Sequence, residues 1–167
     1  MNILSLFRPI RCFVFDVDGV MTDGKLLILE NGEAARRVNI KDGYALQLAV
    51  KKGYRVVVIS GAASGNVVKR LQALGITDIY TGIEDKKEKL QEYVQQHKLE
   101  WNTILYMGDD VLDCSAMRMA GLPVCPADAV AEIKAVSRYV SPLGGGEGCV
   151  REVIEKVLKL NGDFPQI

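Results

Sequence analysis

Apolar positions along the chain fall into short compact runs, separated by stretches with helical periodicity. "CFVF" (12–15), "YRVVVIS" (54–60), "DIYTG" (78–82), "TILYMG" (103–108), "LPVCP" (122–126) and "RYVS" (138–141) read as buried strands. Between them, "GYALQLAVKKG" (43–53) and "SGNVVKRLQALG" (64–75) repeat apolar residues at helical spacing and close on Gly53 and Gly75. A helix is predicted from Asp85, and others over "DVLDCSAMRMAG" (110–121), "DAVAEIKAVS" (128–137) and "CVREVIEKVLKL" (149–160). Repeated strand–helix alternation predicts a Rossmann-like α/β fold, a parallel sheet with helices on both faces, as one domain over 1–167. In such sheets ligands bind beyond the carboxyl ends of the strands, at a switch in strand order. Asp16, Asp18, Ser60 and Asp109 sit at such ends.

One stretch breaks the alternation. "KLLILENGEAARRVNI" (25–40) holds Asn31-Gly32 between two strand-like runs, the dipeptide of a tight hairpin. Its first run, "LLIL", is apolar without alternation, so a hairpin flap with an exposed apolar face is expected, and with it a partner.

Composition narrows the field. Lysine plus arginine equal aspartate plus glutamate at 21 each, so no basic field exists to hold nucleic acid. No apolar run reaches the ~20 residues of a membrane span. The start, "MNILSLFRPIRC", has neither a basic leader nor a long apolar stretch, and its leucines and Phe7 are expected to pack on the domain or a partner. The four cysteines form no CxxC pair and read as reduced thiols, which places the chain in the cytoplasm. The one histidine, His97, lies at the edge of a helix stripe of Leu90, Tyr93 and Val94, a structural position. Chemistry built on a histidine pair is excluded.

The candidate chemistry is acidic. "FDVDGV" aims Asp16 and Asp18 out of a buried strand, and "MGDDVLD" adds Asp109, Asp110 and Asp113 at a second strand end. A calcium loop starting at Asp16 fails, with Val20, Met21 and Leu27 where oxygen ligand, glycine and glutamate are needed. Turn capping explains one or two of these aspartates, Asp110 among them, but not five. A hard divalent cation does: magnesium takes one or two carboxylates, waters and a substrate phosphate. Phosphate oxygens would find the Ser60 hydroxyl and backbone N–H groups in "ISGAASG", and one inward lysine from "GIEDKKEKL".

"FDVDGV", "VISG", the Asp-Lys of "GIEDKKEKL" and "GDDVLD" resemble, in order, the four motifs of haloacid-dehalogenase-type phosphatases, over nearly the whole chain. "DVDGVMTDG", "NGEAARRVNIKDGYALQLA", "LGITDIYTGIEDK" and "GGGEGCVREV" are similar to the capless, tetrameric 3-deoxy-D-manno-octulosonate 8-phosphate phosphatases of bacterial lipopolysaccharide synthesis. The resemblance implies Asp16 as nucleophile and Asp18 as general acid, its pKa raised to hold a proton. Magnesium would be held by the side chains of Asp16 and Asp109 and the carbonyl of Asp18. It implies that Ser60, Gly61 and Lys86 bind the phosphoryl group, while Asp110 and Asp113 orient neighbouring groups. Ala62 follows the motif glycine where some octulosonate enzymes carry a basic residue and nonulosonate 9-phosphate enzymes tend to carry an acidic one, so both sugar acids stay open.

Neither gap between motifs has room for a cap. The 26 positions from Ser60 to Lys86 are filled by a helix and a strand. The hairpin and a neighbouring subunit of a homotetramer are the expected closure, with Arg36, Arg37 and Lys41 available for a sugar-acid carboxylate. "SPLGGGEG" (141–148) is either a segment that reaches the pocket or a plain loop. A phospho-acceptor switch of the receiver type is the non-enzymatic alternative, disfavoured because its acidic pair is contiguous. A phosphomutase would need a cap.

Overall fold

The computed structural model describes residues 2–167. A short helix α1 (Leu4–Phe7) leads into β1 (Cys12–Phe15), followed by a small hairpin, β2 (Leu27–Ile28) and β3 (Ala34–Ala35). Then come α2 (Ile40–Lys51), β4 (Arg55–Ile59), α3 (Gly65–Ala73), β5 (Asp78–Tyr80), α4 (Lys86–Gln96) and β6 (Ile104–Met107). The rest is α5 (Cys114–Met117), β7 (Leu122–Cys125), α6 (Ala131–Val136), β8 (Tyr139–Val140) and α7 (Cys149–Leu160).

Six strands pair in parallel in the order β5-β4-β1-β6-β7-β8. Successive residues of β1 point to opposite faces, and both faces are covered. Phe13 and Phe15 join α1, α2 and α7 in one core, while Cys12 and Val14 join α4, α5 and α6 in the other. Burial on both sides explains why β1 has no polar position before Asp16. Each large apolar side chain so buried contributes roughly 1.5–3 kcal/mol. The chain builds outward from β1 through β4 to β5, then crosses to β6 and builds the other way. The order therefore switches beside β1, and its carboxyl end opens into the crevice between β4 and β6. Side-chain caps fix where helices begin: Asn39 accepts from the Lys41 amide, Ser64 from Val67 and Asp85 from Glu88.

Two predicted elements differ. The run "LLIL" pairs only through Leu27 and Ile28, and both are 65% exposed, so the hairpin stands clear of the core. The helix expected over 110–121 is broken into a tight turn at Val111–Asp113 followed by the single turn of α5. The cause is Asp113, which is drawn back beneath the end of β6 by three donors. The glycine-rich segment does not cover the cleft. It lies against the loop after β1, with the Gly146 amide on the Val20 carbonyl (3.0 Å) and Asn39 Nδ2 on the Gly146 carbonyl (3.1 Å). Asp42 of α2 caps the incoming α7 by accepting the Arg151 amide at 2.9 Å. As expected, the cysteines are free, Phe7 is buried, and His97 packs on Tyr93 with ring centroids 4.3 Å apart. No helix among the described residues is long and apolar enough to cross a membrane.

Candidate active site

The crevice beyond β1 is an open cleft of about 280 Å3. Asp16, Asp18, Ser60, Gly61, Lys86, Asp109, Asp110 and Asp113 all line it. Sequence positions far apart thus converge, because β1, β4 and β6 are adjacent and the start of α4 projects over them.

Asp16 is nearly buried and accepts the Val17 amide on Oδ1 at 2.7 Å. The Lys86 ammonium sits 3.1 Å from the same oxygen and 2.8 Å from Asp113 Oδ1. Asp113 also accepts from the Tyr106 hydroxyl (3.0 Å) and, on Oδ2, from the Asp109 amide (3.1 Å). Burial tends to lower the Lys86 pKa, but Asp113 and Asp16 outweigh it and hold Lys86 above the usual lysine value. Asp16 is pushed up to about 7, first by burial and then by Asp113, with Lys86 opposing. Asp109 also rises to about 7, through burial and then the charges of Asp16 and Asp113.

Carboxylate oxygens of Asp16, Asp109 and Asp113 all lie within 4.8 Å of one another. Two carboxyls pushed up to about 7 in such a cluster mark a place where positive charge is wanting. The donor set is oxygen only, hard and partly open to solvent, and it fits a magnesium ion.

Asp18 is held by Arg36, which follows the hairpin's second strand, in a two-point contact, Nε to Oδ1 at 2.7 Å and Nη2 to Oδ2 at 3.2 Å. The buried Thr22 hydroxyl accepts the amides of Gly19 and Gly24, each at 3.2 Å, and so closes the turn after Asp18. Gly19 has φ +85, and a Cβ there would land on the Asp109 carboxylate, so glycine alone fits. Ser60 Oγ accepts the Ala62 amide at 3.3 Å, which turns the loop after β4 at the cleft floor. Asp110 caps its own turn through the Val111 amide and lies at the rim. Arg37 points away, exposed and paired with Asp23.

A second groove of about 190 Å3 runs between the hairpin and α3, past Arg36, Ser64, Asn66 and Arg70. Arg70, Thr22 and Tyr106 escaped the sequence reading. A helical arginine, a turn threonine and a strand tyrosine carry no motif signal, and only the fold brings them to the site.

No family model matches the chain. It is 32% identical over 165 residues to the 3-deoxy-D-manno-octulosonate 8-phosphate phosphatase KdsC of Escherichia coli K12, covering 99% of this chain and 88% of that one. Among solved structures it superposes on the corresponding Moraxella catarrhalis phosphatase, crystallised with magnesium, phosphate and KDO, with TM-score 0.93, 32% identity and coverage of 98% and 94%. The cobalt-bound Haemophilus influenzae phosphatase gives TM-score 0.89 at 30% identity, covering 94% and 92%. The chain belongs to the 3-deoxy-D-manno-octulosonate 8-phosphate phosphatase (KdsC) family of the haloacid-dehalogenase superfamily.

Proposed function

We infer that this protein is a magnesium-dependent phosphatase that hydrolyses 3-deoxy-D-manno-octulosonate 8-phosphate to the free sugar acid and phosphate, a step of lipopolysaccharide biosynthesis. The observation that carries the mechanism is Asp16, a strand-end carboxylate gripped by Lys86 and within 4.8 Å, oxygen to oxygen, of Asp109.

Asp16 acts as nucleophile. Its carboxylate oxygen bonds to phosphorus as the bond from phosphorus to the sugar oxygen breaks, giving an aspartyl phosphate. Asp18 protonates the departing alkoxide, then takes a proton from the water that attacks the acyl phosphate and regenerates Asp16. Lys86, the Ser60 hydroxyl and the Gly61 amide receive the phosphoryl oxygens. Asp16 and Asp109, with the carbonyl of Asp18, would hold the magnesium ion. When bound, it supplies charge neutralisation between nucleophile and phosphate. Arg36 orients the acid Asp18: its two-point contact is weakened while Asp18 carries a proton and tightens as the proton leaves for the alkoxide.

The groove with Arg36, Ser64, Asn66 and Arg70 also carries Ala34, Ala35, Val38 and Val67, a mixed wall on which the body of a sugar acid would lie with Arg70 as the cation for its carboxylate. Residues 1–167 act as one phosphatase domain, with residues 25–40 as a flap. The exposed Leu26, Leu27, Ile28 and Leu29 form the face through which the flap meets a second copy in a homotetramer. Neutral Ala62 keeps a nonulosonate 9-phosphate as the second candidate substrate.

The test is phosphate release with magnesium from both sugar-acid phosphates, a plain hexose phosphate and p-nitrophenyl phosphate. The octulosonate 8-phosphate is expected to have the highest kcat/KM. Phosphorylation of Asp16 that never turns over would favour a phospho-acceptor switch instead.

A further inference from the structure

Asp113 lies close enough to Asp16 and Asp109 to share a cation, yet its oxygens are already committed. Oδ1 receives the Lys86 ammonium at 2.8 Å and the Tyr106 hydroxyl at 3.0 Å; Oδ2 receives the Asp109 amide at 3.1 Å. Asp113 and Tyr106 are both fully buried. The carboxyl group reaches this place because residue 108 is glycine: a Cβ there would overlap Asp113 Cβ. Tyr106, Gly108, Asp109 and Asp113 are therefore one unit at the end of β6, built around a carboxylate that faces a lysine.

The phenol is the unusual member. A tyrosine buried in a strand must find a partner for its hydroxyl or lose stability, and a phenylalanine would avoid the problem. Here the hydroxyl points at Asp113, which with Asp16 holds Lys86. With three donors, Asp113 cannot turn toward a cation without leaving a buried donor unpaired.

We propose that Tyr106 is a positioning residue: acting through Asp113, its phenol aims the Lys86 ammonium at Asp16 and at the phosphoryl group, and it keeps Asp113 off the metal. The proposal rests on the phosphatase reading above. It goes beyond it by giving the buried Tyr106 phenol a part in aiming Lys86.

The test compares Tyr106→Phe, Asp113→Asn and the double variant with wild type. Tyr93→Phe is the control, a buried tyrosine on α4 whose hydroxyl donates to Asp78. Calorimetry on metal-stripped protein gives the magnesium Kd. Inorganic phosphate titrated into the magnesium-loaded protein then reads the aim of Lys86 without turnover. Expected for Tyr106→Phe are a roughly 10- to 100-fold loss of kcat and of phosphate affinity, with magnesium bound no more weakly than by wild type. The double variant should lose no more than Asp113→Asn alone, because both act through one carboxylate. Tyr93→Phe should lower Tm and leave kcat unchanged. Additive losses in the double variant would overturn the proposal, as would wild-type phosphate affinity in Tyr106→Phe. Magnesium binding weakened in step with kcat would also overturn it, by assigning Asp113 to the cation. If Tyr106→Phe does not fold, Asp113→Asn alone decides, through lost phosphate affinity with retained magnesium binding. Wild-type protein that binds magnesium and phosphate but releases none from sugar phosphates refutes the functional reading instead, and the phosphate titration still tests Tyr106.

Discussion

Stripped of metal, the folded protein should lose stability as pH rises, and magnesium should restore it. The reason is Asp16. Unfolded, it releases its proton near 3.8; folded, burial and then Asp113 hold the proton up to about 7 against the pull of Lys86. Between those values the unfolded chain binds fewer protons than the folded one, so raising pH favours unfolding. One proton corresponds to about 1.4 kcal/mol per pH unit, which gives at most about 4 kcal/mol from Asp16 across the window. Asp109 feels the same charges and is partly open to solvent, so its share is smaller and overlaps with that of Asp16. At about 2–4 °C per kcal/mol for a chain of this size, the ceiling is roughly 8–16 °C. Carboxylates elsewhere titrate in the same range, so the difference between matched melts is the measurement. Tm is recorded in EDTA and in excess magnesium from pH 5 to pH 8. The gap should be small at pH 5, where the site holds its proton, and should widen by several degrees by pH 7.5. A gap that stays constant with pH would refute the reasoning, since it would mean that magnesium displaces no proton.

Other outcomes follow from single contacts. Asp16→Asn should reduce phosphate release to background while raising the Tm of metal-free protein at pH 7.5, because it removes a buried charge from an acidic cluster. Asp18→Asn should lower kcat on the sugar phosphate about 100- to 10,000-fold, and cost less in the first step with p-nitrophenyl phosphate, whose leaving group needs little protonation. Gly19→Ala should cost about 1 kcal/mol through the left-handed backbone alone. Its Cβ also collides with Asp109, so magnesium half-saturation should rise about tenfold in a metal-dependence assay. Ile28→Glu should shift sedimentation toward monomer and reduce kcat/KM on the sugar acid more than on p-nitrophenyl phosphate; a fully active monomer with the same preference would remove the hairpin from the site.

The parallel sheet was legible because both faces of β1, β4 and β6 are buried, which leaves continuous apolar runs in the sequence. Asp16, Asp18, Ser60, Lys86 and Asp109 were legible as strand-end or helix-start residues within motifs. What the sequence left open depends on long-range partners. The helix over 110–121 broke because Asp113 binds Lys86, 27 positions away. The glycine-rich segment could be read as a lid or a loop until Asn39, 107 positions earlier, was seen to hold it. The partner of Asp18, Arg36, lies 18 positions on, across the hairpin, and nothing in "DVDGV" announces it.

The charges of the cleft explain why two carboxylates can end a buried strand. Asp16, Asp18, Asp109 and Asp113 carry four negative charges when ionised; Asp110, exposed at the rim, is left to solvent. Arg36 neutralises Asp18, and Lys86 is shared between Asp16 and Asp113. Two negative charges remain, centred on Asp16 and Asp109, and they match one divalent cation. The two countercharges differ in how firmly they are held. Lys86 starts α4, is buried, and is tied to the end of β6 through Asp113, so it belongs to the rigid sheet. Arg36 follows directly on β3, whose two-residue ladder is exposed on both strands. Whatever packs on Leu27 and Ile28 therefore also sets how Arg36 meets Asp18. Asp16 is thus held by the core, and Asp18 by the flap.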